Sequence, residues 1–187
     1  SPIIVGRYAL HGEIASGGMA TIHVGRLMGP VGFARTVAIK RLHPNFAKDP
    51  EFVAMLMDEA RLAARIRHPN VVSIVDVVAA GGELLLVMDY VAGESLARLL
   101  SRNNTLGTRV DLPIAVRVIS ELLAGLHAAH EVTSDRGLPL DVVQRDISPQ
   151  NGSVGRDGIQ QLIDFGVATA AGPVPTTRQA QPKVKLA

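Results

Sequence analysis

Residues 144–166 read Gln144-Arg145-Asp146-Ile147-Ser148-Pro149-Gln150-Asn151, then GSVGRDGIQQLI, then Asp164-Phe165-Gly166. Asp146, Asn151 and Asp164 stand on either side of a hairpin pattern. Residues 152–154 and 159–163 have strand character and flank Arg156-Asp157-Gly158, where Asp-Gly is a strong turn signal. With the turn centred between Asp157 and Gly158, Asn151 lies as far before it as Asp164 lies after it. The hairpin is expected to bring these two opposite each other. They are oxygen ligands suited to Mg2+ shared with phosphates. Asp146, at the far end of the loop, is left to orient a hydroxyl. Two loop-capping Asx side chains would read the same in isolation, so three upstream features decide.

The first is the turn Ala15-Ser16-Gly17-Gly18-Met19-Ala20, between strands expected at 8–14 and 21–27. Small residues let backbone N–H groups approach a phosphate, although a plain hairpin turn has the same look. The second is Val37-Ala38-Ile39-Lys40, in a strand over 36–42. Ala38 and Lys40 share a face, Val37 and Ile39 the other. Ala38 leaves room for a flat ring, and Lys40 reaches where phosphates would lie. Alone, this is equally a strand ending in a surface lysine. The third is Glu59, in a helix expected over 50–67 with Phe52, Met55, Leu56, Leu62, Ala63 and Ile66 on one side. A carboxylate inside that stripe must be paired or costs desolvation energy. Lys40 is the natural partner; a small rotation of the helix would instead bring Glu59 to water.

Further strands are expected at 71–79 and 83–90 around Gly81-Gly82. A short helix over 95–102 has Ser95 as N-cap. A longer one, Leu112–His130, has Asp111 as N-cap and Pro113 in its first turn. Residues 131–141 read as a polar loop and 171–187, with three prolines, as an irregular tail. The character changes near Ala92-Gly93. The chain has 187 residues, a formal charge of +2 and no cysteine, which excludes disulfides, thiolate zinc sites and a cysteine nucleophile. Aromatic residues at 3% leave no stacking platform for single-stranded nucleic acid, so no nucleic-acid partner is expected. No membrane segment or signal peptide is read, and cytoplasmic residence is expected.

In chain order these features resemble the protein-kinase signature set: Gly-rich loop, strand lysine, helix glutamate, catalytic loop and Asp-Phe-Gly. The chain resembles the bacterial eukaryotic-type (Hanks-type) serine/threonine protein kinases over residues 8–187. The segments ASGGMAT and RDISPQN and the long loop 131–141 are similar to those of myxobacterial members. The resemblance implies a bilobal α+β fold. Residues 1–92 would form a β-rich, nucleotide-binding N-lobe with one long helix. Residues 93–187 would form a partial helical C-lobe with the catalytic loop, Asp-Phe-Gly and the start of the activation segment.

The implied reaction is phosphoryl transfer from Mg2+-ATP to a Ser or Thr hydroxyl of a protein, with ATP and Mg2+ as cofactors. Lys40 would hold the α/β-phosphates and pair with Glu59. Ile14, Ala15, Ser16, Gly17, Gly18, Ile22 and Ala38 would enclose the nucleotide. Met88 would be the gatekeeper, Asp89 and Val91 would offer backbone hydrogen bonds to adenine, and Ser153 would stand near the adenine floor. Asp146 would be the catalytic base, and Asn151 and Asp164 the metal ligands. Arg145 would read a phosphorylated activation loop, with Thr176 and Thr177 as candidate sites.

Departures from the family pattern support an alternative, a non-catalytic pseudokinase-like ATP-binding or interaction module or an inactive gene remnant. Ala15 and Ala20 stand where the family has glycine. Gln144 replaces the usual His beside Phe165, where an amide needs hydrogen-bond partners. Ser148 replaces the catalytic-loop Lys, and Gly152-Ser153 replace two apolar residues. No Ala-Pro-Glu element appears before Ala187, so the apolar face of Leu112–His130 is expected to have little cover.

Overall fold

The computed structural model describes residues 1–140, 142, 144 and 147–163. Alternating apolar residues build one antiparallel sheet from β1 (Ile3–Val5), β2 (Tyr8–Ser16), β3 (Ala20–Met28), β4 (Ala34–Leu42), β5 (Ile74–Ala80) and β6 (Glu83–Asp89). The spatial order is β1-β2-β3-β4-β6-β5. Gly81 and Gly82 take φ of 62° and 78° to close β5 onto β6, as a two-residue primed turn requires. Val37 and Ile39 point to one face, fully buried with Tyr8, Leu10, Leu85 and Val87. Each such aliphatic contributes roughly 1.5–3 kcal/mol relative to exposure. Ala38, Leu86 and Met88 lie on the opposite face, under the helix that follows.

That face is covered by α2 (Pro50–Ala63), which follows the single turn α1 (Pro44–Ala47). Asp49 caps α2, its Oδ1 accepting from Glu51 and Phe52 N–H. The helix ends at Ala63 rather than at 67. Arg65 and Ile66 N–H bond three residues back, to Leu62 and Ala63, tightening the last turn. Pro69 then disfavours helix at His68. Met55, expected on the buried stripe, is exposed; the covered positions are Phe52, Leu56, Glu59, Ala60 and Ala63. The strand expected from 71 begins at Ile74, because Val71 and Val72 pair with Leu162 instead.

The second half contributes β7 (Gly93–Ser95), α3 (Leu96–Thr105), α4 (Leu112–His130), β8 (Gly152–Gly155) and β9 (Gln160–Leu162). The three strands form a small antiparallel sheet in the order β7-β8-β9. Ser95 Oγ caps α3 by accepting from Arg98 N–H, whereas Asp111 occupies the N-cap position of α4 without a side-chain cap bond. The β8–β9 turn differs from the expected two-residue form. Gly155 N–H bonds Ile159 carbonyl, Gly158 sits at φ 80°, and the connection is the three residues Arg156-Asp157-Gly158. The register Gly152↔Leu162 therefore leads back to Asn151 beside Ile163, one residue short of Asp164.

A second core crosses the sequence boundary near 92. Ala63, Ile66 and Val71 pack with Leu126, Ala129, Val132, Val142 and Leu162. The molecule is thus α+β, a curled β-rich unit with one long helix, followed by a smaller helical part. Only the C-terminal end of α4 is packed in; Leu112, Val116, Ile119 and Leu123 line an exposed stripe. Among the described residues α4 is also the one helix long and apolar enough, by length and composition, to cross a membrane. On sequence alone no membrane segment is expected. Helix α4 carries the Arg117–Glu121 ion pair and packs into a protein core at its end, so this is weak support for a span.

Candidate active site

The β2–β3 turn is pinned by its own backbone. Ala15 pairs with Ile22 and Ser16 with Thr21, and Gly17 N–H bonds Ala20 carbonyl at 2.9 Å. A Cβ at Gly18 would touch nothing within 4 Å, so the chain's own packing does not demand glycine there. His43, which sequence reasoning missed, anchors the turn from outside. Its N–H bonds Met19 carbonyl at 2.9 Å, and its Nε2 lies 3.3 Å from Thr21 Oγ1. No sequence signal distinguishes it from any other pre-helix residue. Ile14, expected against the nucleotide, is an exposed residue of β2.

Register sets the next group. Lys40 lies directly between Ile22 and Leu86, and Ala38 between Val24 and Met88. Directly opposed residues share a face, so these six form two rows on the α2 side of the sheet. Glu59 is buried on α2 at 6% exposure, next to Ala60, which packs on Leu86 and Met88. Lys40 and Glu59 both have partners; their pairing with each other belongs to the proposal below. Val24 and Ile163 were also missed. The pairing register finds Val24, and adjacence to Asp164 finds Ile163.

The segment after β6 continues the apolar group. Met88 is buried, and Val91, Ala38 and Ile163 pack into one cluster with it. Asp89 N–H is spent on Ser73 carbonyl at 3.0 Å, so of its backbone groups only the carbonyl could serve a base. Its carboxylate pairs with Arg35. Ser153 is buried, and its hydroxyl donates to Glu94 carbonyl at 3.0 Å, tying β8 to β7. The preceding glycine has a steric cause, since a Cβ at Gly152 would come within 2.8 Å of Leu96 Cδ1.

Asn151 is fixed at both backbone ends. Its N–H donates to Ser148 carbonyl at 3.0 Å and its carbonyl accepts from Ile163 N–H at 2.9 Å. The described part of the hairpin thus brings Asn151 to the residue before Asp164. Arg145, Asp146, Asp164, Phe165, Gly166, Thr176 and Thr177 lie outside the described residues. Gln144 is buried and is not without a partner. Among the described residues no group of three His, Cys, Asp or Glu could hold a metal by itself. A divalent ion would therefore need oxygens from a bound ligand as well as from protein side chains, the shared coordination that suits Mg2+; the expectation that Asn151 and Asp164 supply the latter belongs to the proposal below. Beside Ser148, Pro149 and Gln150, an open groove of about 590 Å3 runs along α3 and has no charged side chain in its lining.

Comparison with known proteins agrees with this architecture. The family described as Protein kinase domain matches residues 8–182, and the chain belongs to that family. It is 42% identical over 180 residues to the tyrosine-protein kinase MasK of Myxococcus xanthus, covering 96% of this chain and 28% of that one. It is 38% identical over 174 residues to a probable serine/threonine-protein kinase, pknA2, of Bifidobacterium longum, covering 90% and 21%. The chain therefore spans less than a third of these relatives. Among solved structures, the Mycobacterium tuberculosis PknI kinase domain aligns with a TM-score of 0.70 at 25% identity, over 90% of this chain and 62% of that one.

Proposed function

We propose that this protein transfers the γ-phosphoryl group of Mg2+-ATP to a serine or threonine hydroxyl of a protein. The observation that carries the reading is the single apolar cluster joining Ala38 of β4, Met88 and Val91 around the lobe connection, and Ile163 before Asp164. That cluster suits the two faces of a purine. Lys40, two residues from Ala38 on the same face, suits the phosphates.

In this reading Asp89 carbonyl and Val91 N–H hold the base edge, and Lys40, paired to Glu59, neutralises α/β-phosphate oxygens. Asn151 and Asp164 would hold Mg2+, which supplies charge neutralisation along the phosphate chain. Asp146 orients the acceptor hydroxyl and takes its proton. Little covalent chemistry falls to the protein; positioning and electrostatics lower the barrier.

The test is transfer from radiolabelled ATP to Ser-, Thr- and Tyr-containing acceptors, with phosphoamino-acid analysis. Label on Ser or Thr, reduced roughly 10²–10⁴-fold in Asp146→Asn, is the expected result. A second reading has its own observation, the 42% identity to a protein named a tyrosine kinase; label on Tyr alone would favour it. Nucleotide binding without transfer to any acceptor would favour the binding-module reading, to which Gln144 and Ser148 lend support.

A further inference from the structure

The outer edge of β9 carries no further strand, yet its backbone groups are closed. Gln160 N–H donates to Glu121 Oε2 at 2.7 Å, and Gln160 carbonyl accepts from Asn70 Nδ2 at 2.8 Å. Leu162 N–H donates to Asn70 carbonyl, and Leu162 carbonyl accepts from Val72 N–H, both at 2.9 Å. A three-residue strand with one hairpin partner has little stability of its own. Two clamps far away in sequence supply what its pairing lacks: the 70–72 segment after α2, and one carboxylate from α4.

The carboxylate is itself oriented. Arg117, one turn earlier on α4, donates from Nε to Glu121 Oε1 at 2.9 Å, which leaves Oε2 aimed at β9. The Gln160 N–H, and after it the Arg117 guanidinium, hold the Glu121 carboxyl below its ordinary range, so it is ionised at neutral pH. A charged acceptor makes a stronger bond than a neutral one. One turn later Gly125 lets α4 close on the same segment, since a Cβ there would come within 2.8 Å of Asn70 carbonyl. From β9 the path to the site is short: Ile163 N–H bonds Asn151 carbonyl, and Asp164 follows in sequence.

We infer that Glu121 is a positioning residue for Asn151, the described member of the proposed divalent-metal pair Asn151 and Asp164, acting through the backbone of Gln160, β9 and Ile163. This rests on the reading of that pair as metal ligands given above. Mg2+ demands near-ideal ligand geometry, so a hairpin released at its outer edge presents Asn151 badly. The purine slot has its main walls on β4, β6 and the segment after them, and Ile163 is its one member directly beyond β9, so it depends less on that edge.

The experiment titrates a fluorescent ATP analogue into the purified protein with and without Mg2+. It compares wild type, Glu121→Ala, Glu121→Gln, Arg117→Ala and Asp164→Ala. In Glu121→Ala the Mg2+-dependent gain in affinity should fall several-fold, approaching the roughly 10-fold loss seen at outer-shell partners of metal ligands, while Mg2+-free affinity falls less. Glu121→Gln keeps an oxygen to accept from Gln160 N–H and should keep most of the gain. Hydrogen exchange at the Gln160 amide should quicken in the Ala variant and not in the Gln variant. A full Mg2+ gain in Glu121→Ala alongside its loss in Asp164→Ala overturns this inference and leaves the metal reading standing. A full gain in Asp164→Ala overturns both. If Glu121→Ala does not fold, Arg117→Ala decides: a reduced gain supports the inference and an unchanged gain overturns it.

Discussion

Asp76 accepts from Tyr8 Oη at 2.6 Å, from Arg7 Nη2 at 2.9 Å and from Val77 N–H at 2.9 Å. Burial alone would raise its carboxyl; the three hydrogen bonds outweigh it and hold the group below the ordinary range. A carboxyl lowered in the folded state stabilises above its unfolded value, about 4, and the contribution is lost as pH falls through the folded value. Asp76→Ala should cost about 1–3 kcal/mol at neutral pH, because it strands the hydroxyl of the buried Tyr8. It should also flatten the fall in stability below pH 4. Urea unfolding at pH 7 and at pH 3 checks both. Gln160 presents the opposite case. It is fully buried, and neither side-chain amide atom has a hydrogen-bond partner among the described residues. Gln160→Met keeps the volume and removes the unpaired polar atoms, so it should be neutral or stabilising by about 1–3 kcal/mol. A loss of stability in the thermal midpoint would count against that. The side-chain pairings are not legible in sequence, because Tyr8 and Arg7 lie 68 and 69 positions from Asp76.

At the scale of elements, period-2 alternation puts Ala38 and Lys40 on one face, and the apolar stripe of α2 leaves Glu59 either turned inward or rotated to water, of which the structure shows the first. Both readings rest on local geometry that each element carries by itself. The β8–β9 turn was misread because Asp-Gly serves both two-residue and three-residue connections. Gly158 takes positive φ in either, and the register one residue away decides. Asp49 caps its helix and Asp111 does not, although both stand at the N-cap ahead of a first-turn proline, Pro50 at the first helical position of α2 and Pro113 at the second of α4. Gly25 marks where β3 presses on the sheet interior: a Cβ there would overlap Ile39 Cδ1 and come within 2.8 Å of Cγ1. Ile39 is fully buried, so Gly25→Ala should destabilise by about 1–3 kcal/mol. Ile39→Val in the same chain should recover part of that in a double-mutant cycle.

For the whole molecule, the exposed stripe of α4 is the largest consequence of the architecture. Leu112 is 75% exposed and Leu123 57%, with Val116 and Ile119 between them. Contiguous apolar surface of this kind drives association. The 187-residue polypeptide should therefore bind a hydrophobic dye and self-associate, measured by light scattering on a sizing column. Ile119→Lys with Leu123→Lys should reduce both without lowering the thermal midpoint, as neither side chain is in a core. The amino-acid sequence by itself determined the family, the order of the longer strands and helices, the faces of β4 and, Met55 apart, the buried stripe of α2, because these follow from residue identity and short-range periodicity. Only the tertiary structure decided that Val71 and Val72 leave the sheet to clamp β9. It likewise decided that Gly152 makes room for Leu96, that His43 anchors the β2–β3 turn, and that Glu121 closes a strand edge 39 residues away. Those contacts join segments whose separation in sequence carries no local signal, and they form only when the packing of α4 and α2 around the small sheet brings the segments within hydrogen-bond reach.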